Sequence, residues 1–408
     1  MIGKRNILTL LSLLPVLFSC ASIETFQPKT GEVPVDFSWY TYRPGLDQVS
    51  TTRADENYFV GGTGTGVERH LNEGSSFGVF GYFHAQVAGA AGRWADANRN
   101  VPNLFYNEPV SVGRDGALYT YSYNKSRFWP KNTLDRMSFI AYYPYNSTVD
   151  TDGNHDANAI VEPFLDRYNE RDGMVGFYYT VHEDAADQVD FMVSDLCQEQ
   201  SYALWDSDNT KGLTGNANGK VKFFFHHALS QVRVKSVNFD TGGNDNLELK
   251  INYILFRNVA VYGQCIPVPD FGSTTATGRT TVTPTWPVGS LVARRPNMTS
   301  GVRAEVCYDE STGEWKVSEY LLMIPHQFFT DATIEVNFDV IRKKDPVTGE
   351  YYSYTGNTLS APLTTTSVYG WQAGKIYTYN ITLDMKQIKV TAEEVDWLDA
   401  GEDVIMDN

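Results

Sequence analysis

Helical periodicity is scarce in this chain, and so are long apolar runs, basic excess and cysteine. Each shortage removes a class of protein. Lys and Arg number 33 against 49 Asp and Glu, a formal charge of −16. Nucleic-acid phosphates would be repelled by that balance, and acidity of this size serves solubility instead. After residue 20 no stretch is apolar for long enough to cross a bilayer as a helix. The four cysteines are Cys20, Cys197, Cys265 and Cys307, and no two stand at metal-ligand spacing. The three beyond Cys20 are odd in number, so a Cys265–Cys307 disulfide and buried free thiols both stay open. No serine elbow, phosphate loop or acid/base spacing of carboxylates marks an enzyme. The expectation is a chain with no catalytic residues, no metal and no cofactor.

What the chain has in quantity is aromatic and β-branched strand material. Aromatics make up 13%, with 25 Tyr and 22 Phe, and residues of this kind favour strands. The fold class expected is all-β, and 408 residues are enough for two cores of ordinary domain size. Strand runs in the first half include Ser76–Phe83 (SFGVFGYF), Leu118–Tyr123, Phe139–Asn146 (FIAYYPYN), Asp190–Ser194 and Val221–Val234 (VKFFFHHALSQVRV). In the second half they include Leu247–Phe256, Asn258–Gly263, Tyr320–Gln327, Thr333–Val340 and Trp371–Leu383. Turn residues separate them at sandwich-like spacing. The division expected is residues 54–240 and 241–408.

The front of the chain is organised differently. Lys4 and Arg5 precede an apolar run from Ile7 to Phe18, the pattern of an export signal over residues 1–19. It ends Leu17-Phe18-Ser19-Cys20, which looks like a bacterial lipobox and makes Cys20 the lipidated residue. A lipid there is an anchor of limited strength, not a span. Val33, Val35, Phe37 and Trp39 then alternate with Pro34, Asp36, Ser38 and Tyr40, the period of a half-buried strand. Downstream, Thr51-Thr52-Arg53-Ala54-Asp55-Glu56 is polar and non-periodic, the composition of a nickable loop. A well-formed strand followed by such a loop suggests a segment meant to be removed over residues 20–53. Its loss would open an apolar groove and an unpaired strand edge that another chain can fill.

Two motifs that suggest metal chemistry weaken on inspection. His226 and His227 are neighbours on a strand and point to opposite faces, so they cannot chelate one ion together. Asp150 to Asn158 (DTDGNHDAN) sets oxygen donors at alternate positions, as calcium loops do. Its glycine comes early, though, and Val161 stands where a closing glutamate belongs. A solvated Asp/Asn/Gly loop is the better reading.

The ordered set FGVFGYF, FWP at Phe128–Pro130, FIAYYPY, DFMVS and FFFHHALSQVRV resembles the fimbrillin family, the subunits and tip proteins of Bacteroidia-type (type V) pili. FHHALSQV at Phe225–Val232 and Trp371–Leu383 (WQAGKIYTYNITL) carry the resemblance furthest. Tyr320–Gln327 resembles the family's I-P-Q strand with His326 inserted. The resemblance covers essentially the whole chain and implies two tandem transthyretin-like β-sandwiches after a lipoprotein signal peptide. It also implies a surface-exposed precursor held in the outer membrane by lipid on Cys20. An arginine-specific protease would cut between Arg53 and Ala54, and the chain would then join other pilus subunits in a fimbria supporting adhesion. Arg43 is a poorer cleavage point because Pro44 follows it.

In the family, C-terminal strands of stalk subunits donate to a neighbour. The candidate donor here is residues 384–408, with Ile388, Val390 and Ala392 alternating and Val404, Ile405 and Met406 as an apolar centre in an acidic tail. The other reading of that tail is that it completes its own domain, as in a tip subunit. A tip adhesin or non-polymerising surface lipoprotein binding glycans or host proteins is the alternative function, with Trp94, Trp205 and Trp286 near polar loops.

Overall fold

The computed structural model describes residues 34–41, 71, 73–84, 102–116, 118–124, 127–130, 135–151, 156, 159–165, 175–182, 185–200, 220–240, 247–270, 279–286, 302–304, 306–309, 314–317, 320–342, 352–363, 370–383 and 388–396. The regular structure there is almost entirely strand. The first nine are β1 (Asp36–Thr41), β2 (Ser76–His84), β3 (Phe105–Asp115), β4 (Leu118–Ser122), β5 (Arg136–Tyr143), β6 (Val161–Leu165), β7 (Val175–Thr180), β8 (Met192–Ser194) and β9 (Leu196–Gln200). Next come β10 (Lys220–His227), β11 (Ser230–Phe239), β12 (Leu247–Arg257), β13 (Tyr262–Pro269), β14 (Arg279–Thr280), β15 (Val282–Thr285) and β16 (Val302–Ala304). The last are β17 (Val306–Asp309), β18 (Glu314–Val317), β19 (Leu321–Met323), β20 (Thr333–Arg342), β21 (Tyr352–Pro362), β22 (Lys375–Leu383) and β23 (Ile388–Asp396). A single 3-10 turn, Ala185–Asp187, interrupts them among the described residues.

Four sheets result. The largest runs β1-β10-β8-β5-β2-β3-β4, with β9 bridging β5 and β14. A second is β15-β13-β7-β6, a third β16-β12-β20-β21, and a fourth β17-β18-β11-β22-β23 with β19 on β11. The all-β class follows directly from the composition.

The run FGVFGYF is continuously apolar because β2 is buried on both faces. Phe80 and Tyr82 enter the larger core, while Phe77 and Val79 enter a second one. A strand covered on both sides loses the alternation of a half-wet one. Its glycines are filled by rings from neighbouring strands. A Cβ on Gly78 would fall 2.2 Å from the Tyr142 ring, and one on Gly81 2.6 Å from the Phe105 ring. The smaller core is lined by Phe77, Val79, Phe105, Val110, Phe139, Val221, Phe223 and Phe225 of the largest sheet. The larger core lies between the other face of the largest sheet and the remaining three sheets, for instance where Tyr142 of β5 meets Phe177 of β7 at 4.8 Å and Phe256 meets Tyr379 at 5.7 Å.

Position 240 does not separate the sheets. The motif FHHALSQV is where the chain passes from one sheet to another. His227 ends β10 in the largest sheet, and three residues later Ser230 opens β11 in the sheet of β22. Conversely β13, at Tyr262–Pro269, returns to pair with β7. The crossing is held by buried hydrogen bonds. Ala228 N donates to Phe191 O at 2.8 Å, Trp286 Nε1 donates to Ala228 O at 2.8 Å, and Gly374 N donates to Leu229 O at 2.9 Å. Such groups cannot be left without partners away from water.

Of the two cysteine arrangements left open by sequence, the free thiol describes Cys265, which is wholly buried, as is Cys197. Burial pushes the Cys265 thiol well above its ordinary range, and the thiolate is the reactive form. Native protein treated with a thiol-alkylating reagent is therefore expected to leave both unlabelled, and denatured protein to label both. Peptide mass spectrometry reads the difference.

Candidate functional site: the seat of the first strand

β1 lies on the edge of β10 and runs parallel to it, with Asp36 opposite Lys220, Phe37 opposite Val221 and Thr41 opposite Phe225. Alternation decides which of its side chains go in. Val35 and Phe37 are 1% and 0% exposed, and both belong to the smaller core. Val33 and the side chain of Trp39 lie outside the described residues.

Phe37 sits among four rings drawn from four separate parts of the chain. Centroids lie 5.4 Å away for Phe105, 5.4 Å for Tyr123, 6.0 Å for Phe139 and 5.5 Å for Phe223. Only Phe223 is stacked; the others are tilted or edge-on, as ring quadrupoles prefer.

The opposite edge of β1 is engaged at its start. Val35 N donates to Arg127 O at 2.8 Å, and Tyr123 Oη donates to Val35 O at 2.6 Å. Pro34 bridges Phe128 in antiparallel sense, and Tyr123 Oη also receives Arg127 N at 3.3 Å. Partial burial raises the Tyr123 hydroxyl above its ordinary pKa, so it remains a neutral donor. β1 is thus a lath laid over the smaller core, with β10 along one side and Tyr123, Arg127 and Phe128 gripping its start. A strand in that position hides one backbone edge and the faces of several aromatics. Taking it out would expose both.

Cys20, Arg53 and Ala54 lie outside the described residues, as do Val404, Ile405 and Met406. Ile388, Val390 and Ala392 are on β23, half-buried against the larger core. They stand opposite Leu383, Ile381 and Tyr379 of β22 in an unbroken antiparallel ladder. In this structure that part of the candidate donor closes the edge of its own sheet.

The remaining sequence candidates take structural places. His226 Nε2 lies 2.6 Å from Asp195 Oδ1 and His227 Nδ1 2.6 Å from Asp190 Oδ2, one pair on each side of β10. Trp286 is not a surface aromatic. It is 8% exposed and packs edge-on against Tyr179 and Phe191, because β15 folds back over the larger core. Trp94 and Trp205 lie outside the described residues. Asp150 is buried, with its N–H on Pro163 O, and Asp156 donates its N–H to Glu162 Oε2 at 2.8 Å. Among the described residues no group of three or more His, Cys, Asp or Glu could hold a metal ion, and no helix is long and apolar enough to cross a membrane.

Sequence reasoning found β1 but not its neighbours. That β10 is its partner, and that Phe105, Tyr123, Phe139 and Phe223 surround Phe37, are facts of long-range pairing. The one local signal was the unbroken Phe223-Phe224-Phe225 run, too apolar for a strand with one wet face.

Comparison with known proteins agrees with this architecture. A fimbrillin-like family match spans residues 52–397, and the chain belongs to that family. Its fold is shared with a fimbrial protein from Bacteroides vulgatus, at 18% identity and a TM-score of 0.51, over 79% of this chain and 92% of that one. Two cell-adhesion candidates, from Bacteroides uniformis and Bacteroides ovatus, are each 14% identical. Their TM-scores are 0.42 and 0.41; the first alignment covers 91% of this chain and 100% of that protein, the second 90% and 98%. A search of curated proteins finds no match.

Proposed function

We propose that this chain is the precursor of a structural subunit of a surface pilus, assembled by exchange of its first strand. It is exported, lipidated on Cys20 and held at the outer membrane facing outward. An arginine-specific protease cuts between Arg53 and Ala54, which frees the anchor and β1 together. The seat on β10 then receives a strand from another pilus subunit, and residues 384–408 supply the matching strand to the next. The mature subunit begins at Ala54, and the polymer supports adhesion to a bacterial or host surface receptor.

One observation carries the reading. The segment ahead of the family match is already built into the sheet, with Val35 and Phe37 buried and its backbone paired to β10. A leader with no assembly role has no reason to fill a core. Strand addition pairs every backbone group of the incoming segment and seats alternate side chains, which explains strong polymers without covalent links.

A second reading is favoured by β23, whose ladder to β22 is complete. A tip adhesin accepts a strand and donates none. Both readings are tested by treating protein that starts after Cys20 with an arginine-specific protease. A new N-terminus at Ala54 with SDS-resistant ladders supports the stalk role, and cleavage without ladders supports the tip. Deletion of residues 384–408 is expected to abolish the ladders, and their persistence would refute the donor assignment.

A further inference from the structure

The groove vacated by β1 is not a featureless apolar trough. Its shape restricts what can replace the strand, and this inference rests on the exchange reading just given. At the position of Val35 both backbone groups are used, the N–H by Arg127 O and the C=O by Tyr123 Oη. An occupant therefore cannot place proline there. Two residues on, the side chain must fill the box formed by Phe105, Tyr123, Phe139 and Phe223. A valine or alanine in that box would leave a void, which weakens the fit because the removed atoms lose their packing partners.

The half-buried apolar residues described on β23 are Ile388, Val390 and Ala392, all aliphatic. None fills the box. Immediately after them the chain reads Val395-Asp396-Trp397, which repeats the residue classes of Val35-Asp36-Phe37 position for position, aspartate included. We infer that the seat is an aromatic socket, and that a second copy of this chain occupies it with Val395-Asp396-Trp397. Trp397 takes the place of Phe37, and the incoming strand runs parallel to β10.

Among the described residues, the contacts this segment makes with its own chain lie at the end of a ladder. Val395 and Asp396 are the last residues of the β22 ladder, opposite Ile376 and Lys375. Asp396, 54% exposed, pairs with Lys375 at the surface, where ion pairs contribute little. The indole is larger than the phenyl ring it replaces. The wall that can yield to it is Tyr123, which is only half-buried, so the overpacking that a closed core would suffer is relieved.

The test uses full-length protein cut at Arg53 and incubated with excess fluorescent peptide, with binding read by anisotropy. A peptide of residues 33–42 reports whether the seat opens. A peptide of residues 391–401 is expected to bind, to weaken at least about tenfold with Trp397→Ala, and to recover with Trp397→Phe. If the 33–42 peptide binds but 391–401 does not, or Trp397→Ala changes nothing, the socket assignment falls and strand exchange stands. Tighter binding by a peptide of residues 400–408, lost with Met406→Ala, likewise overturns it. If no peptide binds the cut protein, the seat never empties, and both the inference and the exchange reading fail.

Discussion

Phe37→Ala lowers the unfolding free energy of the uncut protein by about 3–5 kcal/mol, the range for deleting a fully buried phenylalanine. The size of the effect comes from the box. Four rings lie within 6.0 Å of Phe37, and three of them, Phe105, Phe139 and Phe223, are fully buried on strands, so the space left behind collapses only in part around alanine. Denaturant unfolding of the uncut and Arg53-cut proteins checks it. In the uncut protein the transition midpoint falls. In the cut protein β1 is no longer tethered, so the same substitution also speeds its loss, visible as faster release of the fragment ending at Arg53 on gel filtration. Ser38→Ala, on the opposite parity of the same strand, serves as the comparison and is expected to change either measurement by less than about 0.5 kcal/mol. Equal effects from both substitutions would mean that β1 is not seated by its inward residues.

Gly370→Ala is the second large effect, at about 3 kcal/mol or more, and it arises far from the seat. Gly370 has φ +87°, and a Cβ there would lie 2.3 Å from His326 O and 3.0 Å from Phe328 N, both backbone atoms. Left-handed backbone alone costs an L-residue about 1–2 kcal/mol, and the clash with main chain adds to it because no side-chain rotation can relieve it. Trp371 follows directly. Its Nε1 donates to Tyr379 Oη at 3.0 Å, and its ring packs on Phe256, His326 and Phe328. Displacing Gly370 therefore displaces the largest buried side chain of the larger core. Gly356 separates the two contributions. It also has positive φ, +69°, but nothing within 4 Å of its Cβ position, so Gly356→Ala should cost only the conformational 1–2 kcal/mol. Thermal unfolding of the two variants side by side reads the difference, and equal losses would refute the steric account.

The W-Q-A-G-K-I-Y-T-Y motif was conspicuous in the sequence, and the structure supplies its physical content. Gly374 at φ +68° makes the turn into β22 and gives its N–H to Leu229 O. Tyr377 and Tyr379 bury their rings, and the Tyr377 hydroxyl receives Gln372 N at 3.0 Å. FHHALSQV has a comparable explanation. Its two histidines meet separate aspartates, Ala228 and Leu229 carry the chain between sheets, and Gln231 and Val232 begin pairing with β19 and β22 at once.

Local pattern was sufficient for the all-β class, for the strand at Val35–Phe37 and for the family motifs, because alternation, turn residues and aromatic content are properties of neighbouring positions. The partner of β1, the ring box around Phe37, the return of β13 to β7 and the burial of Trp286 depended on the tertiary structure. Each joins residues far apart in the chain, and a period-two pattern says which side chains share a face without saying which strand lies beside them.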